Sequence, residues 1–217
     1  INELSKAIGL DARIGPSFLE ASVGFGGSCF KKDILNLVYL AKTFDLDEVA
    51  EYWEQVVKIN EYQKNRFTSK ILDYFKYNIK GIKISVLGWA FKKNTNDSRE
   101  SASIFVAVNL LENGAKLQIY DPMVKQNKIM FDICLLLEDK GFNKFQVSKI
   151  LENVIVLNNL QKCIQKTKAI VITTEWTEFK DNKFILKAIE SSNPPYIFDG
   201  RNISNIQNKK NTYYIGN

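Results

Sequence analysis

Residues 21–33, ASVGFGGSCFKKD, place three glycines, a serine and Cys29 directly before an amphipathic run. A thiol at the head of a helix meets unpaired backbone N–H groups and the positive end of the helix dipole. Both favour thiolate over thiol. Ser28 is the expected N-cap, with Cys29 in the first turn. Lys32 adds positive charge nearby. Asp33 lies four residues beyond Cys29, on the same helical face. Its carboxylate opposes thiolate formation, so it needs another use, such as ordering a water or a neighbouring lysine. Gly24, Gly26 and Gly27 let a ligand approach the backbone closely. Two readings are open at this point: a packing cysteine in a tight turn, and a nucleophile. A nucleophilic cysteine without histidine suits an aldehyde or ester better than a peptide, because an amine leaving group needs a general acid near neutral pH.

The 217 residues contain no histidine at all, which rules out Ser-His-Asp and Cys-His catalysis and His-metal sites within them. Acid–base work falls to Asp, Glu, Lys, Tyr or Cys. The other cysteines, Cys134 and Cys163, are far apart and form no CxxC pair. A disulfide framework and a structural zinc are not expected, and a reducing, cytoplasmic setting is. The formal charge is +6, but the lysines are scattered without an arginine-rich arm, so nucleic acid is not an expected partner. No apolar run approaches about 18 residues, so no membrane span is expected. The first residues lack the parts of a signal peptide and open inside an amphipathic helix. They read as the interior of something longer.

These residues need a frame. Residues 1–44 read as two or three short helices around the glycine loop. Asp47 to Tyr77 holds no Gly or Pro and carries a partly apolar stripe through Val49, Trp53, Val56, Phe67, Ile71 and Tyr74. One helix of about 30 residues would reach about 45 Å and could join two lobes. Two helices broken near Asn60 are the alternative. From Gly81 the pattern changes to short β-rich runs, KISVL, AKLQIY, NVIVL, KAIVI, YIF and NTYYI, with helical stretches between several of them. Asp97 is the expected N-cap of the helix after the first run, with Glu100 as its capping-box partner and Gly114 at its C-terminus. Strands alternating with helices predict an α/β fold, a Rossmann-like, mostly parallel sheet covered on both faces. Ligands in such sheets sit beyond the carboxyl ends of the strands. WAFKKNTNDSRES, TTEWTEF and FDGRN all fall there.

VGFGGSCFKKD closely resembles the catalytic-cysteine segment of the UDP-glucose 6-dehydrogenases. LGWAFKKNTNDSRESAS resembles that family's nucleotide-sugar loop, and IYDP, TEWTEF and FDGRN follow in the family's order. The resemblance spans essentially the whole chain. It implies a partial central helical region with a long connecting helix over residues 1–80, and a UDP-sugar-binding Rossmann-like domain over 81–217. It implies a two-step oxidation in which UDP-glucose, water and two NAD⁺ give UDP-glucuronate and two NADH. Cys29 would trap the aldehyde as a thiohemiacetal and carry the thioester that water hydrolyses, with Asp33 assisting. By the same resemblance, Arg13 reaches the substrate of a neighbouring subunit. Phe18 and the loop Glu20, Ala21, Ser22, Val23, Gly24, Phe25 and Gly26 contact substrate, as do Phe91, Lys92 and Arg201. Cys29, Phe30, Lys31, Lys32 and Arg99 lie near the NAD. A homodimer through the helical region is implied, with higher homo-oligomers open.

Part of the family's pattern is missing. The GxGxxG turn of its dinucleotide-binding domain is not in this sequence. Neither is the earlier central segment with the lysine and asparagine beside the thiol and the glutamate base. Losing one oxyanion donor alone costs on the order of 100-fold in rate, so the 217 residues by themselves are expected to show no turnover. Two other readings stay open: a related dehydrogenase acting on GDP-mannose or a UDP-N-acetylhexosamine, and a non-catalytic nucleotide-sugar-binding or assembly module.

Overall fold

The computed structural model describes residues 1–16, 18–180, 182–203 and 211–216. Three helices come first: α1 (Asn2–Gly9), α2 (Phe30–Thr43) and α3 (Asp47–Tyr74). The glycine loop lies between α1 and α2. α3 runs unbroken through Asn60 for 28 residues, about 42 Å. A mid-helix asparagine usually competes for its own backbone. Here its side chain is committed elsewhere, to the backbone of Phe25. The helix stops where Lys76 and Tyr77 turn to positive φ and the Tyr77 N–H reaches back to the Leu72 carbonyl at 2.9 Å.

Among the described residues six strands follow: β1 (Lys83–Leu87), β2 (Lys116–Tyr120), β3 (Val154–Val156), β4 (Ala169–Ile172), β5 (Tyr196–Asp199) and β6 (Thr212–Tyr214). They form one sheet in the order β3-β2-β1-β4-β5-β6, with every pairing parallel. Between them lie α4 (Ala102–Glu112), α5 (Gln126–Asp139), α6 (Lys144–Leu151), α7 (Leu160–Cys163), α8 (Thr177–Lys180) and α9 (Lys183–Ile189). Consecutive residues Ile84, Ser85, Val86 and Leu87 are all buried, as is all of β4. Successive strand residues point to opposite faces, so both faces of the central strands are covered, as the alternating pattern predicts. α3 joins this core through Phe67, Ile71 and Leu72, whereas Val38, Ala41 and Ala50 form a small separate cluster between α2 and α3. No described helix is long and apolar enough to cross a membrane.

Two helix starts differ from expectation. The N-cap of α2 is Cys29 and not Ser28; its carbonyl accepts the Asp33 N–H at 2.9 Å. The N-cap of α4 is Ser101, whose Oγ accepts from the Ser103 N–H at 3.3 Å. Asp97 cannot serve there, because its carboxylate already takes the backbone N–H and the guanidinium of Arg99. Glu100 has φ +53°, which keeps it out of a right-handed helix.

Candidate functional site

The glycine loop has no regular structure but is fixed along its length. Gln63 Nε2 donates to the Ser22 carbonyl at 3.3 Å. Asn60 holds Phe25 from both sides, accepting its N–H at 2.9 Å and donating to its carbonyl at 3.1 Å. Both side chains come from α3. Val23 is buried against the far end of the sheet, where Gly200 follows β5. A Cβ on Gly200 would lie 2.3 Å from Val23 Cγ2 and 2.8 Å from the Ile172 carbonyl. The other end of the loop rests on the segment after β1. The Gly27 N–H donates to the Arg99 carbonyl at 2.8 Å, and a Cβ on Gly26 would stand 2.5 Å from the Glu100 carbonyl oxygen. These approaches are closer than any other residue permits. The glycine pattern therefore serves packing of loop on backbone at these positions.

Cys29 sits at the end of this loop with an exposed side chain, its Sγ 3.7 Å from Ser28 Oγ. The other thiols differ. Cys163 is buried, and burial pushes its pKa up to about 12. Burial also raises that of the half-buried Cys134. Asp33 pairs with Lys32 at 3.5 Å, both well exposed, so this carboxylate does face a lysine. Lys31 reaches across to Glu100 at 2.9 Å and ties the first turn of α2 to the loop before α4. Phe30 packs edge-on against Phe25 with centroids 4.8 Å apart. Arg99 is gripped by Asp97 at 2.7 Å, which holds the guanidinium firmly charged and the Asp97 carboxyl below the usual carboxylate range. A cleft of about 930 Å³ opens here, lined by Gly27, Ser28, Lys31, Lys32, Arg99 and Lys128 among others.

On the other side, the loop after β1 carries Phe91 and Lys92. Phe91 lies against Gly26 and Gly27, and Lys92 is exposed, its Nζ 5.3 Å from the Phe91 ring centre. Asp121, at the end of β2, anchors this loop. One oxygen accepts from the Trp89 and Ala90 N–H groups at 2.6 and 3.1 Å and from Trp176 Nε1 at 3.0 Å, while the other accepts from Met123 and Val124 at 2.8 Å. Arg201 follows β5, and its guanidinium pairs with Glu175 at 2.5 Å. A second cleft, about 430 Å³, is lined by Glu20, Lys93, Glu175, Trp176 and Asn202 among others. The carboxyl ends of β1, β4 and β5 thus gather here, with the thiol loop laid across β1 and β5.

Two of the residues singled out from sequence stand apart. Arg13 is almost fully exposed and held by Asp11 at 2.6 Å, and Phe18 is wholly exposed at φ +66°. Both side chains are open to solvent. Sequence reading missed Asn60, Gln63 and Glu175. The first two are spaced three apart on a helix, so they share a face, which is a legible signal. Glu175 sits within TTEW but had no partner to pair with until the sheet order was known. It also missed Lys64, a lysine only 1% exposed, whose Nζ sits 2.9 Å from Glu61 and 3.7 Å from the centre of the Phe105 ring. Burial holds its pKa below the ordinary lysine value, and Glu61 partly opposes the shift.

Comparison with known proteins places this geometry in a lineage. Residues 85–206 match the UDP-binding domain of the UDP-glucose/GDP-mannose dehydrogenase family, and residues 1–62 match its central domain. A UDP-glucose 6-dehydrogenase of Drosophila melanogaster is 46% identical over 203 residues, 94% of this chain and 42% of that protein. UDP-glucose 6-dehydrogenase 2 of Arabidopsis thaliana is 43% identical over 225 residues, 99% of this chain and 45% of that protein. The solved structure of a UDP-glucose dehydrogenase from Pyrobaculum islandicum superposes with a TM-score of 0.73 at 29% identity, covering 99% of this chain and 42% of that one. The chain thus spans less than half the length of these relatives. A match running over both the helical region and the sheet, in order, leaves one conclusion: the chain belongs to the UDP-glucose/GDP-mannose dehydrogenase family.

Proposed function

We propose that this chain supplies the thiol and the sugar-nucleotide seat of an NAD-dependent UDP-glucose 6-dehydrogenase, and that it divides into a helical region over residues 1–80 and a UDP-binding domain over 81–217. One observation carries the reading. The exposed thiol, Cys29, ends a loop that lies across the strand ends bearing Phe91, Lys92 and Arg201. The relatives named UDP-glucose 6-dehydrogenase support the substrate.

The chemistry follows from the groups present. Lys92 and Arg201 offer positive charge to the pyrophosphate, and Arg201 adds a planar donor fork. Glu20 lines the second cleft, and the loop from Glu20 to Gly26 leads toward the thiol and contacts the sugar. When the C6 alcohol has lost hydride and proton, the resulting aldehyde has no carbinol C–H and O–H pair left to oxidise. Cys29 Sγ adds to its carbon, and the oxygen takes a proton, giving a thiohemiacetal. That carbon can again lose hydride while its hydroxyl gives up a proton, and the product is a thioester. Water then attacks the acyl carbon and the thiolate leaves, freeing the carboxylate. Asp33, one helical turn from the sulfur and beside Lys32, handles protons around the adduct and the water. Holding the aldehyde covalently prevents its escape between the two oxidations.

NAD, when bound, accepts the hydride. The residues here fit one wall of its site: Lys31, Lys32, Arg99 and Lys128 line the larger cleft next to Cys29 together with Glu100, Asp132 and Asp139, so cations outnumber carboxylates by one where a dinucleotide's phosphates would lie. The dinucleotide-binding GxGxxG turn is not among these residues, so the purified chain binds UDP-sugar but does not turn it over. Arg13 and Phe18, projecting into solvent, suit contact with a neighbouring subunit.

The test is calorimetric titration of the 217-residue chain with UDP-glucose, GDP-mannose and UDP-N-acetylmannosamine, alongside NADH absorbance with UDP-glucose. Binding of UDP-glucose in preference to the others, without NADH, is expected. Preference for another nucleotide sugar moves the substrate assignment to that sugar, and steady NADH production overturns the inactivity of the isolated chain.

A further inference from the structure

The two cationic residues assigned to the substrate sit on different loops, Lys92 after β1 and Arg201 after β5, and something must hold those loops in register. We propose that Glu175 is that positioning residue, an inference that rests on the sugar-nucleotide reading above. Its two carboxylate oxygens face different loops. Oε2 lies 2.5 Å from Arg201 Nη2 as a charge contact without hydrogen-bond geometry, and Oε1 accepts the backbone N–H of Lys93, next to Lys92, at 3.2 Å. Glu175 is itself held in place from below. Thr173 and Thr174 precede it at the end of β4, and their hydroxyls donate to the Gly88 and Ala90 carbonyls at 2.9 and 2.7 Å. The Arg201 backbone is fixed separately, its N–H donating to Asp199 Oδ1 at 3.0 Å. The carboxylate therefore spans two strand ends from the third between them, as the order β1-β4-β5 requires.

The pair is mostly dry, with side-chain exposures of 16% for Arg201 and 12% for Glu175. Charges taken out of water need compensation or they destabilise the fold. A carboxylate beside an anion-binding arginine also weakens long-range attraction of the anion. What it contributes in return is order: an arginine carries appreciable rotamer freedom, and fixing it beforehand removes that loss from the binding step. A guanidinium has five N–H donors in a rigid fork, so engagement through Nη2 aims the fork without exhausting it. Glu175 also lines the smaller cleft with Glu20 and Lys93, so the carboxylate that holds Arg201 is itself at a cleft wall.

The experiment titrates the 217-residue chain and its variants with UDP and with uridine, and reads each variant's Tm. Glu175→Gln should weaken UDP by about tenfold, the size of the rotamer freedom an unheld arginine loses on binding, and leave uridine nearly unchanged. Glu175→Asp should recover much of the loss. In the double variant Glu175→Gln/Arg201→Gln neither charge is left buried alone, and UDP should bind as it does to Arg201→Gln. Equal weakening of UDP and uridine, or a loss that follows Tm, reduces Glu175 to a structural ion pair and overturns the proposal. Tighter UDP binding by Glu175→Gln overturns it too, because Glu175 then masks Arg201. Additive losses in the double variant overturn any action through Arg201. Wild type that binds UDP, with unaltered variants, refutes this inference alone; wild type that binds neither UDP nor UDP-glucose refutes the nucleotide-binding reading and this inference with it.

Discussion

Cys29 and Cys163 show how place decides what a thiol can do. Cys163 is sealed between α7 and the sheet, where desolvation disfavours its thiolate; its pKa is pushed to about 12. Cys29 stands in the open at the N-cap of α2. Reaction with a soluble alkylating reagent at neutral pH needs thiolate and access together. Iodoacetamide should therefore label Cys29 first, Cys134 more slowly, and Cys163 only on unfolding, with at least about tenfold between the first and last. Peptide mass spectrometry of a time course measures this. Labelling of Cys163 in step with Cys29 would show that the sheet opens in the native state. Cys29, Asp33, Lys92 and Arg201 could be singled out from the sequence because the motifs that carry them are long and specific. The partners that aim them were not: Glu175 meets Arg201 across a sheet order that no local pattern encodes.

At the scale of elements, α3 acts as the scaffold for the thiol loop, not merely a connector. Its face carrying Asn60 and Gln63 supplies hydrogen bonds to loop backbone that would otherwise go unpaired in a half-buried site. Asn60→Ala removes both bonds to Phe25 and leaves a donor and an acceptor unpaired, which costs about 1–3 kcal/mol. Urea denaturation should show that loss with an unchanged m-value, and Cys29 labelling should change as the loop loosens. Stability within a few tenths of wild type would mean that water replaces Asn60. The strands were readable from sequence because β-rich apolar runs alternated with turn residues. The helix starts at α2 and α4 were less so. Capping statistics favour Ser28 and Asp97, but a backbone kink at Glu100 and the demand of Arg99 on Asp97 moved the α4 cap to Ser101.

For the whole molecule, the outer faces of α2 and α3 present Tyr39, Tyr52, Ile59 and Tyr62 to solvent. An apolar surface of this kind is unusual for a chain that stays single. Continuity with the small core cluster of Val38, Ala41 and Ala50 makes these two helices a joint platform. The expected outcome is a dimer through that platform, measured by sedimentation equilibrium. Tyr52→Glu with Ile59→Glu should give a monomer that keeps the melting temperature of the sheet domain. A wild-type monomer at all concentrations would remove the dimer from the reading.

The contact between Val23 and Gly200 has a consequence for how the protein is made. The two are 177 residues apart in sequence, and pairings so distant close slowly. Asn60 and Gln63 are made much sooner after the loop than Gly200 is, so its Phe25 and Ser22 ends find their partners first. The cysteine loop is therefore mounted in stages during synthesis, and the seat of Val23 comes after the contacts from α3.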